Sequence, residues 1–167
     1  DHQRIGYIAG WEGASTQRDR EAGFREALQE AGVELFAREV GDFHTERARD
    51  AGRRMFDVPV DQRPDAVFVA NDHMALTVMD VIRFELGLRI PEDVSVVGYD
   101  DVPPAAWLAY NLTTLRQRAN LMVEETVSAL LEHIENPKTA RPRRVAIDGP
   151  LIVRGSARLP NGWTPKG

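Results

Sequence analysis

Val94-Ser-Val-Val-Gly-Tyr-Asp-Asp101 is the stretch of sequence that decides the fold of this chain. Its apolar residues form a short, nearly continuous run, which is typical of a strand covered on both faces of a sheet. Asp100 and Asp101 follow at once, and carboxylates have no place in the middle of such a strand. In open α/β sheets, ligands bind in the crevice beyond the carboxyl ends of the strands. The two acids therefore indicate a functional site, provided that the rest of the chain builds such a sheet.

The rest of the chain alternates between strand and helix patterns. Three apolar runs precede Val94, and each is followed by a stretch whose apolar residues recur with the spacing of one helix face. The predicted strands cover residues 5–9, 35–40, 65–70 and 94–100, and the predicted helices cover residues 17–31, 45–56 and 72–86. Strands separated by helices of this length pair in parallel through right-handed crossovers. We therefore predict an α/β fold with a doubly wound parallel sheet.

A different pattern follows Asp101. After a loop with two prolines, residues 112–116 predict a brief strand and residues 119–135 a strongly amphipathic helix. Short strands are predicted at 143–147 and 151–154, and residues 160–167 are expected to form a frayed tail. The apolar stripe of the helix consists of Val123, Val127, Leu130, Leu131 and Ile134. Because exposed stripes of this kind drive association, we expect it to pack on another copy of the chain or on a further lobe.

Composition excludes several classes of protein. The chain has 167 residues, 43% of them hydrophobic, which suits one domain with a real core. A net charge of −5 gives no electrostatic reason to bind nucleic acid or an anionic membrane. There is no cysteine, so disulfides and thiol catalysis are excluded. No apolar run is long enough to span a membrane and no signal peptide opens the chain, which favours a cytoplasmic location.

Unusual side chains fall just after successive predicted strands. Arg20 begins the helix after the first strand, Phe43 follows the second, Asn71 the third and Asp100 the fourth. In a parallel sheet all these strand ends lie on one edge, so the side chains can converge. A carboxylate accepts from paired hydroxyls, guanidinium and amide groups donate, and an aromatic ring packs on a C–H face. The set suits a neutral polyhydroxylated ligand such as a sugar or nucleoside.

Each of these residues also has a structural interpretation. Arg20 could be an ordinary surface arginine and Phe43 a part of the core. Asn71 could simply cap its helix, since asparagine is a good N-cap. Asp100 and Asp101 could cap the next turn or pair with an arginine.

Catalytic and metal patterns are weak. The four histidines show no zinc-like spacing, and Gly155-Ser-Ala lacks the second glycine of a nucleophile elbow. No glycine-rich phosphate loop follows a strand. Asp100 and Asp101 could hold Mg²⁺, but that site requires a lysine at a neighbouring strand end, and the lysines, Lys138 and Lys166, lie outside the sheet. We predict no catalytic residue, no metal and no cofactor.

Several motifs carry a resemblance to a known family. Val69-Ala-Asn-Asp-His-Met-Ala75, the stretch from Pro91 to Asp101, and Leu112-Thr-Thr-Leu-Arg-Gln117 follow one another in a characteristic order. Together with Arg18-Asp-Arg-Glu-Ala-Gly-Phe24 and Leu151-Ile-Val-Arg-Gly-Ser156, they resemble the LacI/GalR family of bacterial transcription repressors. The resemblance spans about residues 1 to 158.

The resemblance implies a periplasmic-binding-protein type I fold in which two lobes enclose a sugar-like effector. Residues 1–116 would be the C-terminal lobe, 117–149 a return segment of the largely missing N-terminal lobe, 150–158 the final strand back to the C-terminal lobe, and 159–167 a flexible tail. Operator DNA would be bound by a homodimer through an N-terminal helix-turn-helix that this chain lacks. By motif position, the effector contacts would be Asp100, Asn71 and Arg20, with Phe43 as a stacking ring, and more weakly Trp11, Thr16 and Gln117.

Three functions compete at this point. Ligand sensing by a transcription regulator agrees best with the resemblance. A solute-binding protein for sugar uptake shares the fold and would be distinguished by an export signal before Asp1. A metal-dependent hydrolase using Asp100 and Asp101 would be distinguished by metal titration.

Overall fold

The computed structural model describes residues 2–160 and 162–163. The chain begins with β1 (Ile5–Ala9), α1 (Ser15–Glu30), β2 (Leu35–Val40) and α2 (Thr45–Phe56). It continues with β3 (Ala66–Val69), α3 (Asp72–Asp80), β4 (Ser95–Asp100), β5 (Thr113–Arg116), α4 (Ala119–Glu135) and β6 (Leu151–Ile152). A π-helical turn, Val81–Glu85, extends α3, and short 3₁₀ turns occupy Val60–Gln62 and Pro103–Ala106.

Within the described residues the strands form one six-stranded sheet in the order β2-β1-β3-β4-β5-β6. The first five strands pair in parallel, and β6 runs antiparallel to β5. The chain moves outward from β1 to β2 and then in the other direction from β3 to β5. The predicted α/β fold with a doubly wound parallel sheet is therefore confirmed, and its switch point lies between β1 and β3.

The helices cover both faces of the sheet. Tyr7 of β1 is paired with Phe68 of β3, and the ring of Phe24 from α1 lies against both, with centroids 5.4 Å and 5.0 Å away. Gly6 is one position earlier and therefore faces the other way. A Cβ at Gly6 would lie 3.0 Å from the sulfur of Met55 in α2. Thus α1 packs on one face, and α2 on the other.

The main core lies between the sheet and the pair α2 and α3. Phe56, Met79 and Ile82 are fully buried there. Gly52 of α2 faces the end of α3, where a Cβ would make an ordinary van der Waals contact with Val81 at 3.6 Å. Each large side chain buried in this layer contributes about 1.5–3 kcal/mol to stability. This layer fixes the strands whose ends carry the candidate site.

The opposite face is covered less completely. The sequence places Ala27 and Ala31 on the inner face of α1, yet both are exposed, and Leu28 is the apolar side chain of α1 that is buried. The reason is that α1 packs over Tyr7 and Phe68 but not over the neighbouring strands. A cavity of about 620 Å³ remains beside α1 and is lined by Tyr99 of β4 and by part of the return segment.

The prediction of a strand at residues 143–147 is wrong. These residues have no regular structure, and the second predicted strand, 151–154, is reduced to Leu151–Ile152. An apolar pattern can form a strand only where a neighbouring strand supplies hydrogen-bond partners. Val145 and Ile147 instead line the cavity beside Met122 of α4.

Helix α4 has the predicted bounds and presents its apolar stripe to solvent. Val123, Val127, Leu130, Leu131 and Ile134 are 48–72% exposed. We expect the isolated chain to self-associate through this stripe, because water-exposed apolar area of this extent favours association. Sedimentation velocity over a concentration series measures this directly.

The double variant Val127→Glu/Leu131→Glu should shift the chain to a monomer. Ser128→Glu, on another side of the same helix, is the matched control and should leave the association unchanged. A wild-type chain that stays monomeric at all concentrations, with α4 still helical by circular dichroism, would contradict the expectation.

Within the described residues, no helix combines the length and the apolar composition that a membrane span requires.

Candidate functional site

Asp100 is the last residue of β4 and stands at the carboxyl edge of the sheet. Its φ is +125° and that of Asp101 is +60°. Non-glycine residues at such angles cost on the order of 1–3 kcal/mol each and persist only where the surroundings enforce them. The strand therefore ends in a strained turn, and the carboxylates of Asp100 and Asp101 point in different directions.

The half-buried carboxylate of Asp100 is surrounded by donors. Its Oδ1 accepts a hydrogen bond from Nε2 of Gln117, the first residue after β5. Burial raises the pKa of Asp100, while the hydrogen bond from Gln117 and the positive charge of Arg20 act in the opposite direction. In its ionised form the group can accept from ligand hydroxyls with its remaining lone pairs.

Arg20 reaches the same edge from the second turn of α1. Its guanidinium lies over the ring of Tyr99, with Cζ 3.7 Å from the centroid, and Nη1 donates to the carbonyl of Ala70 at the end of β3. Stacking and hydrogen bonding together restrict the side chain to one position. Arg20 is therefore more than a surface arginine, because its head is fixed between β3 and β4.

Asn71 follows Ala70 and caps α3. Its Oδ1 accepts from the main-chain nitrogen of Met74 at 3.0 Å, so the capping interpretation is correct for the amide oxygen. Its Nδ2 makes no hydrogen bond to the residues that the structure describes and remains available as a donor.

The two candidate aromatic residues lie toward the other end of the edge. Phe43 has a φ of +55° and is 38% exposed, and its ring lies over Gly10, where a Cβ would overlap it. The interpretation of Phe43 as a core residue is therefore wrong. Trp11 is 58% exposed, and its ring lies over Gly13. Both glycines make room for a ring at the end of β1.

The structure brings some of the predicted residues closer together than others. Thr16, Arg20 and Gln117 line the cavity of about 620 Å³, and Asp100 is joined to them through Gln117. Asn71, Phe43 and Trp11 lie along the same carboxyl edge but do not line that cavity. Thr16, Arg20, Gln117 and Asp100 thus form one cluster, whereas Asn71, Phe43 and Trp11 lie beside it.

Asp101 pairs with two arginines, which is one of the interpretations that the sequence allowed, although the sequence did not show which arginines. Its Oδ1 accepts from Arg154 at 2.7 Å and its Oδ2 from Arg116 at 2.6 Å. Burial opposes ionisation, but these two hydrogen bonds outweigh it, so the pKa of Asp101 lies below its usual range. Arg154 belongs to a motif already noted in the sequence, which was the available signal.

Two buried side chains, Gln17 and Asp72, hydrogen-bond to residues at the carboxyl edge of the sheet. Gln17 accepts from the main-chain nitrogen of Gly10 at 2.8 Å and donates to the hydroxyl of Tyr7 at 3.0 Å. Asp72 is fully buried and accepts from Thr114 and from the main chain of Val102. Burial raises the pKa of Asp72 despite these bonds. Asp72 lies in the motif from Val69 to Ala75, which was its signal in the sequence, whereas Gln17 stands in a polar run and had none.

The acidic and histidine side chains do not form a metal centre in the part of the chain that the structure describes. No group of three or more histidine, aspartate or glutamate residues lies close enough together there to hold an ion. The arrangement is instead a set of donors and acceptors fixed around one half-buried carboxylate.

Comparison with known proteins shows the family to which this chain belongs. The sequence model of the "Periplasmic binding protein-like domain" matches residues 1–157. The chain belongs to this family. Its relatives confirm the resemblance to LacI-type regulators: the ribose operon repressor of Escherichia coli is 35% identical over 158 residues, or 93% of this chain and 47% of that protein. The PurR repressor of Photobacterium profundum is 31% identical over 159 residues, or 94% and 46%.

Solved structures of LacI-type regulators have the same fold as this chain. A lac repressor dimer bound to operator and the anti-inducer ONPF has a TM-score of 0.82 and 30% identity, covering 93% of this chain and 53% of that one. A complex of the regulator CelR with cellobiose has a TM-score of 0.83 and 36% identity, covering 93% and 47%. The chain spans about half the length of the curated relatives it matches.

Proposed function

We propose that this chain is part of the ligand-sensing domain of a LacI-type transcriptional regulator, a repressor that responds to a sugar or related polyhydroxylated effector. The observation that carries the proposal is the half-buried carboxylate of Asp100, held in a strained turn and flanked by the donors of Gln117 and Arg20. An acceptor with fixed donors beside it matches the paired hydroxyls of a sugar, which both donate and accept.

The remaining site residues have defined roles in this proposal. Asn71 donates through Nδ2, Phe43 stacks on a C–H face of the effector, and Thr16, Trp11 and Gln117 complete the rim. The domain binds its ligand and does not transform it: Asp72 and Asp101 are occupied by main-chain and arginine donors, and within the described residues Asp100 belongs to no group of three metal-binding side chains. This favours sensing over the hydrolase alternative.

The proposal assigns the two parts of the chain to different lobes. Residues 1–116 and 150–158 belong to the lobe that carries Asp100, and residues 117–149 belong to the facing lobe, with 159–167 as a tail. In support, β6 pairs with β5 in the sheet, whereas no residue of α4 is buried. Closure of the facing lobe over Asp100 would change the affinity of a separate helix-turn-helix for operator DNA.

We further propose that the regulator works as a cytoplasmic homodimer. Phe84, Trp107 and Leu108 are 80%, 57% and 98% exposed, on two segments that are joined by a 2.5 Å hydrogen bond from Arg83 to the carbonyl of Ala109. Large apolar side chains in adjacent exposed segments are typical of a contact with a second subunit. A lac repressor of similar fold is a dimer.

A thermal-shift screen tests the central proposal. The panel contains ribose, cellobiose, other monosaccharides and disaccharides, and nucleosides, each at millimolar concentration. A compound that binds the native state raises the melting temperature by mass action, by an amount that increases with its concentration. The screen is run on the chain and on the full-length regulator, since the facing lobe adds contacts. The absence of any shift with the full-length protein across the panel would refute an effector of this class.

A further inference from the structure

Asp72 has contacts that helix capping does not require. It is the first residue of α3 and is fully buried, whereas the cap of that helix is Asn71. Its Oδ1 accepts from the hydroxyl of Thr114 in β5 at 2.6 Å, and its Oδ2 accepts from the main-chain nitrogen of Val102 at 3.0 Å. One carboxylate therefore links a helix, a neighbouring strand and the residue that follows Asp101.

The sheet is shaped to leave room for this carboxylate. Gly98 of β4 faces α3, and a Cβ at this position would overlap Oδ1 of Asp72 and lie 2.9 Å from Leu112. Any other residue at Gly98 would push the carboxylate away from Thr114 and Val102. Glycine at position 98 is therefore what allows the carboxylate of Asp72 to reach Thr114 and Val102.

The turn that Asp72 contacts requires external support. Asp100 and Asp101 both have positive φ, and non-glycine residues keep such angles only when their surroundings enforce them. Arg154 and Arg116 hold the side chain of Asp101. The hydrogen bond from the main-chain nitrogen of Val102 to Asp72 holds the next residue of the turn.

We propose that Asp72 is a positioning residue for effector binding: it fixes the main chain after Asp101 so that the carboxylate of Asp100 points into the cleft. Asp72 touches no effector, because it is buried on the α3 face while Arg20 and Tyr99 lie on the α1 face. The inference rests on the proposed effector site at Asp100 and adds a residue that acts through it.

The test uses Asp72→Asn, which keeps the volume but replaces one acceptor oxygen by a donor. The amide cannot accept from both the Val102 N–H and the Thr114 hydroxyl. For whichever of ribose, cellobiose or the other panel compounds binds the wild type, we expect the dissociation constant to rise about tenfold or more. Hydrogen exchange at the Val102 amide, measured without effector, should accelerate about tenfold.

Asp65→Asn is the matched control. Asp65 also accepts two main-chain bonds, from Gln3 at 3.1 Å and Arg4 at 3.2 Å, but at the amino edge of the sheet. It should lower the melting temperature and leave effector affinity and Val102 exchange unchanged. If Asp72→Asn behaves in the same way, Asp72 is a structural residue only and the inference is overturned.

A second pair of variants covers the case in which Asp72→Asn does not fold. Thr114→Val removes the hydroxyl donor and should weaken binding about three- to tenfold, whereas Thr114→Ser retains the donor and should restore wild-type affinity. Equal affinity in both variants would contradict the inference. If no panel compound binds the wild type, the effector site itself fails, while accelerated Val102 exchange would still establish the contact to Asp72.

Discussion

Asp100→Ala is expected to abolish effector binding, with an affinity at least about a hundredfold lower than that of the wild type. The substitution removes the charged acceptor of the site, leaves the Nε2 donor of Gln117 without its partner and removes the negative charge near Arg20. A hydrogen bond to a charged group contributes about 1.5–3 kcal/mol, and unpaired donors add a desolvation cost. Isothermal titration calorimetry with the compound that gives the largest thermal shift measures the change.

The control for this variant lies at the other end of the same strand. Asp93 precedes β4 and forms an exposed ion pair with Arg89, so Asp93→Ala should leave the affinity unchanged. Retention of affinity within a few-fold by Asp100→Ala would refute the site assignment.

The same titration repeated at lower pH gives a second readout for Asp100. Burial raises the folded-state pKa of this carboxyl group above its usual range, so protonation begins at a higher pH than for an exposed aspartate. Affinity is complete above the raised pKa and falls as the pH decreases through it, because the protonated group accepts less well. If the Asp100→Asn variant shows the same pH dependence of affinity as the wild type, the titrating group is not Asp100.

Arg154→Ala is expected to reduce the free energy of unfolding by about 2–3 kcal/mol. The Arg154 side chain is 15% exposed and donates both to Asp101, whose side chain is 6% exposed, and to the carbonyl of Leu112. Its removal leaves a buried carboxylate that Arg116 neutralises only in part, as well as a carbonyl without this donor. Urea unfolding followed by circular dichroism measures the loss.

Arg144→Ala is the matched control for this prediction. Arg144 also pairs with an aspartate, Asp19, at 3.3 Å, but the two side chains are 87% and 67% exposed. Exposed ion pairs contribute little, so this variant should remain within about 0.5 kcal/mol of the wild type. Equal effects of the two substitutions would show that burial of Asp101 does not determine the importance of its partner.

The elements that the sequence predicted well are those whose pattern is local. Helix α4 has the bounds its apolar spacing indicated, and Asn71 caps α3 as its residue type suggested. The strand at residues 143–147 was wrong because an apolar alternation is local, whereas a strand also requires a neighbour. The expectation that Ala27 of α1 is buried failed for a similar reason. The spacing of apolar residues specifies one face of a helix, but not which other segment covers that face.

For the candidate site, the sequence predicted which edge of the sheet carries it, but not the residues that hold that edge in place. Parallel strand ends share one edge, so Asp100 and Arg20 could be assigned to it from their order along the chain, whereas Gln117 was a candidate from the family resemblance. In the structure Arg20 and Gln117 line one cavity, and Asp100 is hydrogen-bonded to Gln117. The partners of the two neighbouring acids, Asp101 and Asp72, lie far away in sequence. Arg154 is 53 residues from Asp101, and Thr114 is 42 residues from Asp72.

The sequence by itself determined the alternation of strands and helices, the doubly wound sheet and the carboxyl edge that carries Asp100, because hydrophobic periodicity and chain direction are local properties. The family resemblance named Asp100 as the effector contact, whereas the partners that hold each acid of this edge became visible only in the structure. Asp72, Asp100 and Asp101 are the same residue type, and their roles differ because burial and long-range hydrogen-bond partners differ. Such partners are set by packing between distant segments, which no local pattern encodes.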